Sequence, residues 1–167
     1  RRPCPCRRQF EAAPLPGVNA RETFEAYDPG VYPQAQTRRR MGMIRVYLES
    51  WAGQVPRPNP STLVLMGSVG LGKSFLLNAV AGRAHAAGAM VEKLPAYRLV
   101  RRVLESFQAP HMLDALLELD LLCIDDLGVE PMLQNVTLEY LFLILNERQC
   151  AGKATALATN LSLAQLQ

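Results

Sequence analysis

Gly67-Ser68-Val69-Gly70-Leu71-Gly72-Lys73-Ser74 comes directly after the apolar run Leu63-Val64-Leu65-Met66 and opens a helical stretch over residues 73–87. The eight residues fit the spacing G-x-x-x-x-G-K-[ST]. Glycines at 67, 70 and 72 accept backbone conformations that side chains resist, so successive N–H groups can turn inward on phosphate oxygens. Lys73 carries charge to β- and γ-phosphates, and the Ser74 hydroxyl is a hard ligand for Mg²⁺. The helix that starts here adds its positive end. Gly67, Ser68, Val69, Gly70, Leu71, Gly72, Lys73 and Ser74 are therefore read as a site for ATP and Mg²⁺. The competing reading is a glycine-rich turn that holds no ligand. A buried lysine would then be an unpaired charge, which counts against it.

Around this loop, apolar strands alternate with helices. Ala89–Leu94 reads as a strand, Ala96–Phe107 and residues 112–118 as helices, Leu121-Leu122-Cys123-Ile124 as a strand, residues 134–150 as a helix and Ala154–Thr159 as a fourth strand. That order predicts an α/β fold, a parallel sheet covered by helices on both faces. Before it, Met41, Ile44, Leu48 and Trp51 recur at helical spacing within residues 36–53, an amphipathic helix expected to dock on the α/β domain. The expected organisation is an extended linker over residues 1–35, the helix and a proline-rich connector over 36–60, and the ATPase core over 61–167.

Asp120-Leu121-Leu122-Cys123-Ile124-Asp125-Asp126 is an apolar strand that ends in two carboxylates. In open parallel sheets ligands bind at the carboxyl ends of strands. Asp125 is placed to hold Mg²⁺ through water, and Asp126 to orient and deprotonate a water that attacks the γ-phosphate. Without the loop, the pair would read as a turn cap before Gly128. Glu130 reads as a solvated loop acid, with a part in positioning Mg²⁺ or water as the alternative. Ala154-Thr155-Ala156-Leu157-Ala158-Thr159-Asn160 ends a second strand in polar groups. Asn160 is either a sensor that hydrogen-bonds the γ-phosphate or its attacking water, or an ordinary turn asparagine.

Composition sets wider limits. Of 167 residues, 49% are hydrophobic and 20% charged, enough for a sizeable core. The net charge of +3 is too small by itself to argue for nucleic acid. Its arginines cluster at Arg1, Arg2, Arg7 and Arg8 and at Arg38, Arg39 and Arg40, where a solvated face is the plain reading. No stretch is apolar and long enough to span a bilayer, no signal peptide is visible, and a cytoplasmic, reducing location is expected. The first residue is Arg1, so the stretch does not open at an ordinary translation start.

Residues 63–76, including Phe75 and Leu76, resemble the AAA+ ATPases that load bacterial replicative helicases, the DnaC/DnaI type. Ile124-Asp125-Asp126-Leu127-Gly128-Val129-Glu130-Pro131 carries the resemblance more specifically. So do Leu145-Asn146-Glu147-Arg148 and Ala158-Thr159-Asn160-Leu161-Ser162-Leu163. The IstB-like ATPases share much of this core. The resemblance extends the nucleotide-binding set to Phe75 and implies that Asp125 binds Mg²⁺, Asp126 supports hydrolysis and Asn160 is the sensor. It implies single-stranded DNA and a DnaB-type replicative helicase as partners, self-association through AAA+ interfaces, and DNA replication as the setting. Where relatives place glutamate, this chain has the shorter Asp126. The family continues past the sensor into a further strand, an arginine finger and a helical lid. The expectation is an AAA+ core truncated before these parts, which needs a neighbouring subunit's arginine to hydrolyse ATP. Cys4-Pro5-Cys6 resembles the tail of a cysteine-rich zinc module, but two ligands are too few, and zinc is not expected in this chain.

The leading function is a weak ATPase that loads a replicative helicase onto single-stranded DNA. The alternative is an IstB-like ATPase that assists a transposase at target DNA. A small-molecule kinase and a nucleotide-binding module without turnover are further readings. The tandem Asp125-Asp126 with Asn160 argues for hydrolysis over transfer to an acceptor.

Overall fold

A computed structural model describes residues 15–56, 62–107, 111–128 and 137–165. Cys4, Cys6, the N-terminal arginines, the prolines of the connector from Pro58 on, and Glu130 lie outside the described residues.

The elements are α1 (Ala35–Ala52), β1 (Thr62–Met66), α2 (Lys73–Ala86), β2 (Val91–Pro95), α3 (Ala96–Ser106), α4 (His111–Glu118), β3 (Leu121–Leu127), α5 (Thr137–Cys150) and β4 (Ala154–Thr159). The strands form one parallel sheet in the order β1-β4-β3-β2. This is the expected α/β fold. β2 starts two residues later than the sequence predicts. β3 runs on through both aspartates to Leu127.

Alternation along β3 divides the core in two. Leu121 and Cys123 face α1 and α2, with Val91, Ala154, Ala156 and Ala158. Leu122 and Ile124 face the other layer, with Leu94, Leu157 and helices α3, α4 and α5. A strand buried on both faces must be apolar at every position, which explains the unbroken run Leu121-Leu122-Cys123-Ile124. The small residues of β4 let α2 approach the sheet closely. In α3, Ala96, Leu99, Val100 and Val103 are buried at helical spacing. Burial also pushes the Cys123 thiol up to about 12, so it packs as an unreactive neutral group.

Two apolar stretches differ from expectation. β1 stands at an edge of the described sheet. Leu63 is buried, but Val64 and Met66 are 40% and 42% exposed, because the helices of that layer cover β2, β3 and β4. In α1, Leu48 and Ala52 are the buried positions, with Met41 and Trp51 partly covered, while Ile44 is exposed. Residues 15–34 are irregular apart from a short turn at Pro29–Val31, yet they lie against the core. Phe24 and Tyr27 are buried within the α1–α2 layer.

Arg148 at the end of α5 is fully buried. Its guanidinium donates to the carbonyls of Leu116, Leu119 and Ala154 and to the Thr155 hydroxyl. It thereby ties α5 to the end of α4 and the start of β4. Burial lowers its pKa to about 10, so it stays protonated near neutrality. A fully buried arginine is not available to a neighbouring subunit. Replacing Arg148 with Met leaves these carbonyls and the Thr155 hydroxyl without their donor. Urea unfolding of Arg148→Met is expected to show a loss of about 3 kcal/mol or more. A loss under about 0.5 kcal/mol is the range of an ordinary surface change and would show that the tie contributes little.

Candidate functional site

The carboxyl ends of β1, β3 and β4 lie side by side because all strands run the same way. Met66 pairs with Thr159, and Leu127 pairs with Thr159 from the other side. The residues next after these strands are Gly67, Gly128 and Asn160.

The loop from Gly67 to Gly72 takes its shape from glycine. Gly70 and Gly72 have φ of 84° and 74°, in the left-handed region. Gly72 is also the residue that caps α2, so a side chain there would strain the first turn. Lys73 folds back across the loop, its Nζ 2.8 Å from the Gly67 carbonyl and 2.9 Å from that of Ser68. The loop is braced from the N-terminal side, where the Tyr32 hydroxyl donates to the Leu71 carbonyl at 3.0 Å. Tyr32 has one proton to give, so in the 3.0 Å contact between the two hydroxyls Tyr27 is the donor. Burial and this bond both push the Tyr27 pKa up. The Tyr27 ring also meets Phe75 at 5.5 Å between centroids.

Asp125 continues the face of Leu121 and Cys123, which is the α2 side, and its carboxylate meets the start of that helix. Ser74 Oγ donates to Asp125 Oδ1 at 3.1 Å. The backbone N–H of Asp126 reaches the same oxygen at 3.1 Å. Oδ2 pairs with Lys93 Nζ at 2.9 Å.

Asp126 has a different position for a definable reason. Three steps on β3, Ile124 to Leu127, match two on β4, Leu157 to Thr159, so β3 carries one extra residue. The bulge returns Leu127 to the face of Ile124, where it is buried. Asp126 absorbs the irregularity with φ of 55° and is exposed. Asp125 and Asp126 are therefore not equivalent. The first is buried and bonded, and the second stands at the rim.

The structure brings Lys73, Ser74 and Asp125 together. Asn160 is exposed at the end of β4, one residue past Thr159. Thr159 is buried and shapes the turn: its hydroxyl donates to the Leu127 carbonyl at 2.7 Å and accepts from the Leu161 N–H at 3.0 Å. Sequence reading passed over Thr159, Tyr32 and Lys93. Lys93 left a signal, because it shares strand parity with the buried Val91 and needs an acidic partner there. Tyr32 and Thr159 left none.

The donors suit the expected ligands. A hydroxyl and a carboxylate 3.1 Å apart are hard oxygens of the kind Mg²⁺ takes, with phosphate and water to complete the shell. The glycine loop leaves backbone amides at a helix start open to phosphate. Among the described residues no cluster of three or more His, Cys, Asp or Glu forms a metal site. No described helix is long and apolar enough to cross a membrane.

Comparison with known proteins agrees with the geometry. The model of the family described as IstB-like ATP binding protein matches residues 6–167. No curated protein sequence matches the chain. Among solved structures, AMPPCP-bound DnaA from Aquifex aeolicus is 24% identical with a TM-score of 0.66, over 87% of this chain and 44% of that one. The DnaC helicase loader is 22% identical at 0.71, over 86% and 79%. DnaI is 25% identical at 0.67, over 89% and 79%. The chain thus spans less than half of the DnaA structure, and its likeness to DnaA and DnaC is a likeness of fold.

The conformation at Asp126 can be tested. Asn accepts left-handed backbone and a β-branched residue resists it. Asp126→Asn is expected to keep wild-type stability in urea, while Asp126→Val loses about 1–2 kcal/mol. Equal stability of the two would mean that the bulge is not held in this form.

Proposed function

Since the chain belongs to the IstB-like ATP-binding protein family, we propose that it is the nucleotide-binding core of a weak AAA+ ATPase that acts as a switch on DNA. The observation that carries this is the junction of the glycine loop with β3, where Ser74 meets Asp125 at 3.1 Å. A loop that cradles phosphates is joined there to a carboxylate that can share a divalent cation.

In this reading the amides of residues 67–74 and the Lys73 ammonium take the β- and γ-phosphates. The Lys73 Nζ leaves the carbonyls of Gly67 and Ser68 for them. Ser74 and Asp125 would hold Mg²⁺, which supplies neutralisation of phosphate charge. Asp126 is exposed and so can accept a proton from an attacking water. Asn160, on the adjacent strand end, hydrogen-bonds the γ-phosphate or that water and reports its presence to β4. Phe75 and Tyr27 keep the first turn of α2 firm beneath the loop.

The switch, in the favoured reading, loads a DnaB-type replicative helicase onto single-stranded DNA in the cytoplasm, with self-association of neighbouring copies. The likeness to DnaI, at 25% identity over 89% of the chain, supports it. The family match supports a second reading, an ATPase that assists a transposase at target DNA. Capture of a replicative helicase but not a transposase by the ATP-loaded protein favours the first, and the reverse favours the second. Arg38 donates to the Tyr32 and Pro33 carbonyls at 2.9 and 2.8 Å and is spent on the start of α1. Arg39 and Arg40 are exposed and are the better candidates for phosphate contact.

Lys73→Ala is expected to weaken ATP binding by roughly tenfold or more in a titration with fluorescent nucleotide, the loss of a charge-assisted bond. Asp126→Asn is expected to bind ATP as wild type does and to turn it over about 10²–10⁴-fold more slowly, the usual size of a lost general base. Equal affinity for Lys73→Ala would contradict the phosphate site. Unchanged turnover in Asp126→Asn would remove Asp126 from the chemistry.

A further inference from the structure

β2 brings a lysine to the metal side of the site. Lys93 pairs in register with Cys123, two residues before Asp125, and its side chain lies on the same face. The Lys93 side chain is 11% exposed and that of Asp125 9%. An ammonium this deep in a sheet is held by its partner, here Asp125 Oδ2 at 2.9 Å. The two oxygens of Asp125 are thus divided. Oδ1 takes the Ser74 hydroxyl and the Asp126 N–H. Oδ2 takes a full positive charge.

We infer that Lys93 is a positioning residue that sets how strongly nucleotide binding depends on Mg²⁺, by neutralising Asp125 through the oxygen that faces away from Ser74. This rests on the nucleotide reading above and deepens it. Two effects oppose each other. Lys93 helps to aim Oδ1 at Ser74, and its charge weakens the pull of Asp125 on a divalent cation. The aim survives without Lys93, because Oδ1 keeps two other hydrogen bonds. The charge does not survive, so charge decides the sign.

Metal-free nucleotide approaches a site that holds Lys73 and a neutralised Asp125. Remove the Lys93 charge, and Asp125 stands as a bare carboxylate that repels metal-free phosphates and attracts Mg²⁺ more strongly. Lys93 therefore lets the site hold nucleotide with or without the metal, and its loss makes binding depend more strongly on the metal.

The test is the ratio of ATP affinities measured in excess Mg²⁺ and in EDTA, for wild type, Lys93→Met, Lys93→Gln and Lys93→Arg, using a fluorescent ATP analogue. Lys93→Gln keeps a hydrogen-bonding partner for Asp125 and carries the test if the methionine variant does not fold. The ratio is expected to rise about tenfold when the charge is removed, within the range of ordinary coupling between two ligands. The half-saturating Mg²⁺ concentration falls with it, and Lys93→Arg returns both to wild-type values. A merely structural role would shift both affinities together and leave the ratio unchanged. An unchanged or smaller ratio in the charge-removing variants, with nucleotide still bound, overturns the inference and leaves the nucleotide site standing. Failure of wild type to bind nucleotide in either condition overturns both.

Discussion

Burial of β3 on both faces is the constraint on which the rest depends. Leu121, Leu122, Cys123 and Ile124 are each fully buried, so both neighbouring strands and both helix layers must close around them. A parallel sheet meets that demand, and it also puts every strand's carboxyl end on one side. Polar residues excluded from the strand gather there. The single extra residue in β3 then separates its two aspartates. One stays on the core face against α2, and the other is pushed outward. A bonded, buried carboxylate and an exposed one arise from adjacent positions without any other device.

Apart from the exposed Asp126, the polar groups next to the loop are bonded internally. Lys73 lies on two carbonyls of its own loop, Ser74 on Asp125, and Lys93 on the other oxygen of the same carboxylate. In the proposed reading, phosphate binding is therefore an exchange. Lys73 would give up neutral acceptors for charged ones, which form stronger hydrogen bonds. Ser74 would give up a bond to Asp125 so that both could face a cation. Affinity is the difference between these sets of bonds. The tyrosine pair behind Leu71 braces the loop through the Leu71 carbonyl.

Much of this was legible in the sequence, and the parts that were not share a cause. The loop spacing, the apolar β3 and the small-residue β4 each report local demands, so the sheet and the cluster of Lys73, Ser74 and Asp125 could be read from them. The outer face of β1 could not, since whether Val64 and Met66 are covered depends on a neighbour far along the chain. The same holds for Ile44. Nothing in the local sequence around Arg148 announced that it is buried. Its burial depends on carbonyls of residues 116, 119 and 154, which no local pattern announces. The bulge at Asp126 is invisible because the sequence does not show which strand will lie beside it.

A structure of the chain with AMPPCP and Mg²⁺ tests the central claim most directly. Expected is the triphosphate along the amides of residues 67–74, with Lys73 moved from the Gly67 and Ser68 carbonyls to the β- and γ-phosphates, and a cation between Ser74 and Asp125. Nucleotide seated elsewhere, or Lys73 still on those carbonyls with the triphosphate bound, would contradict it.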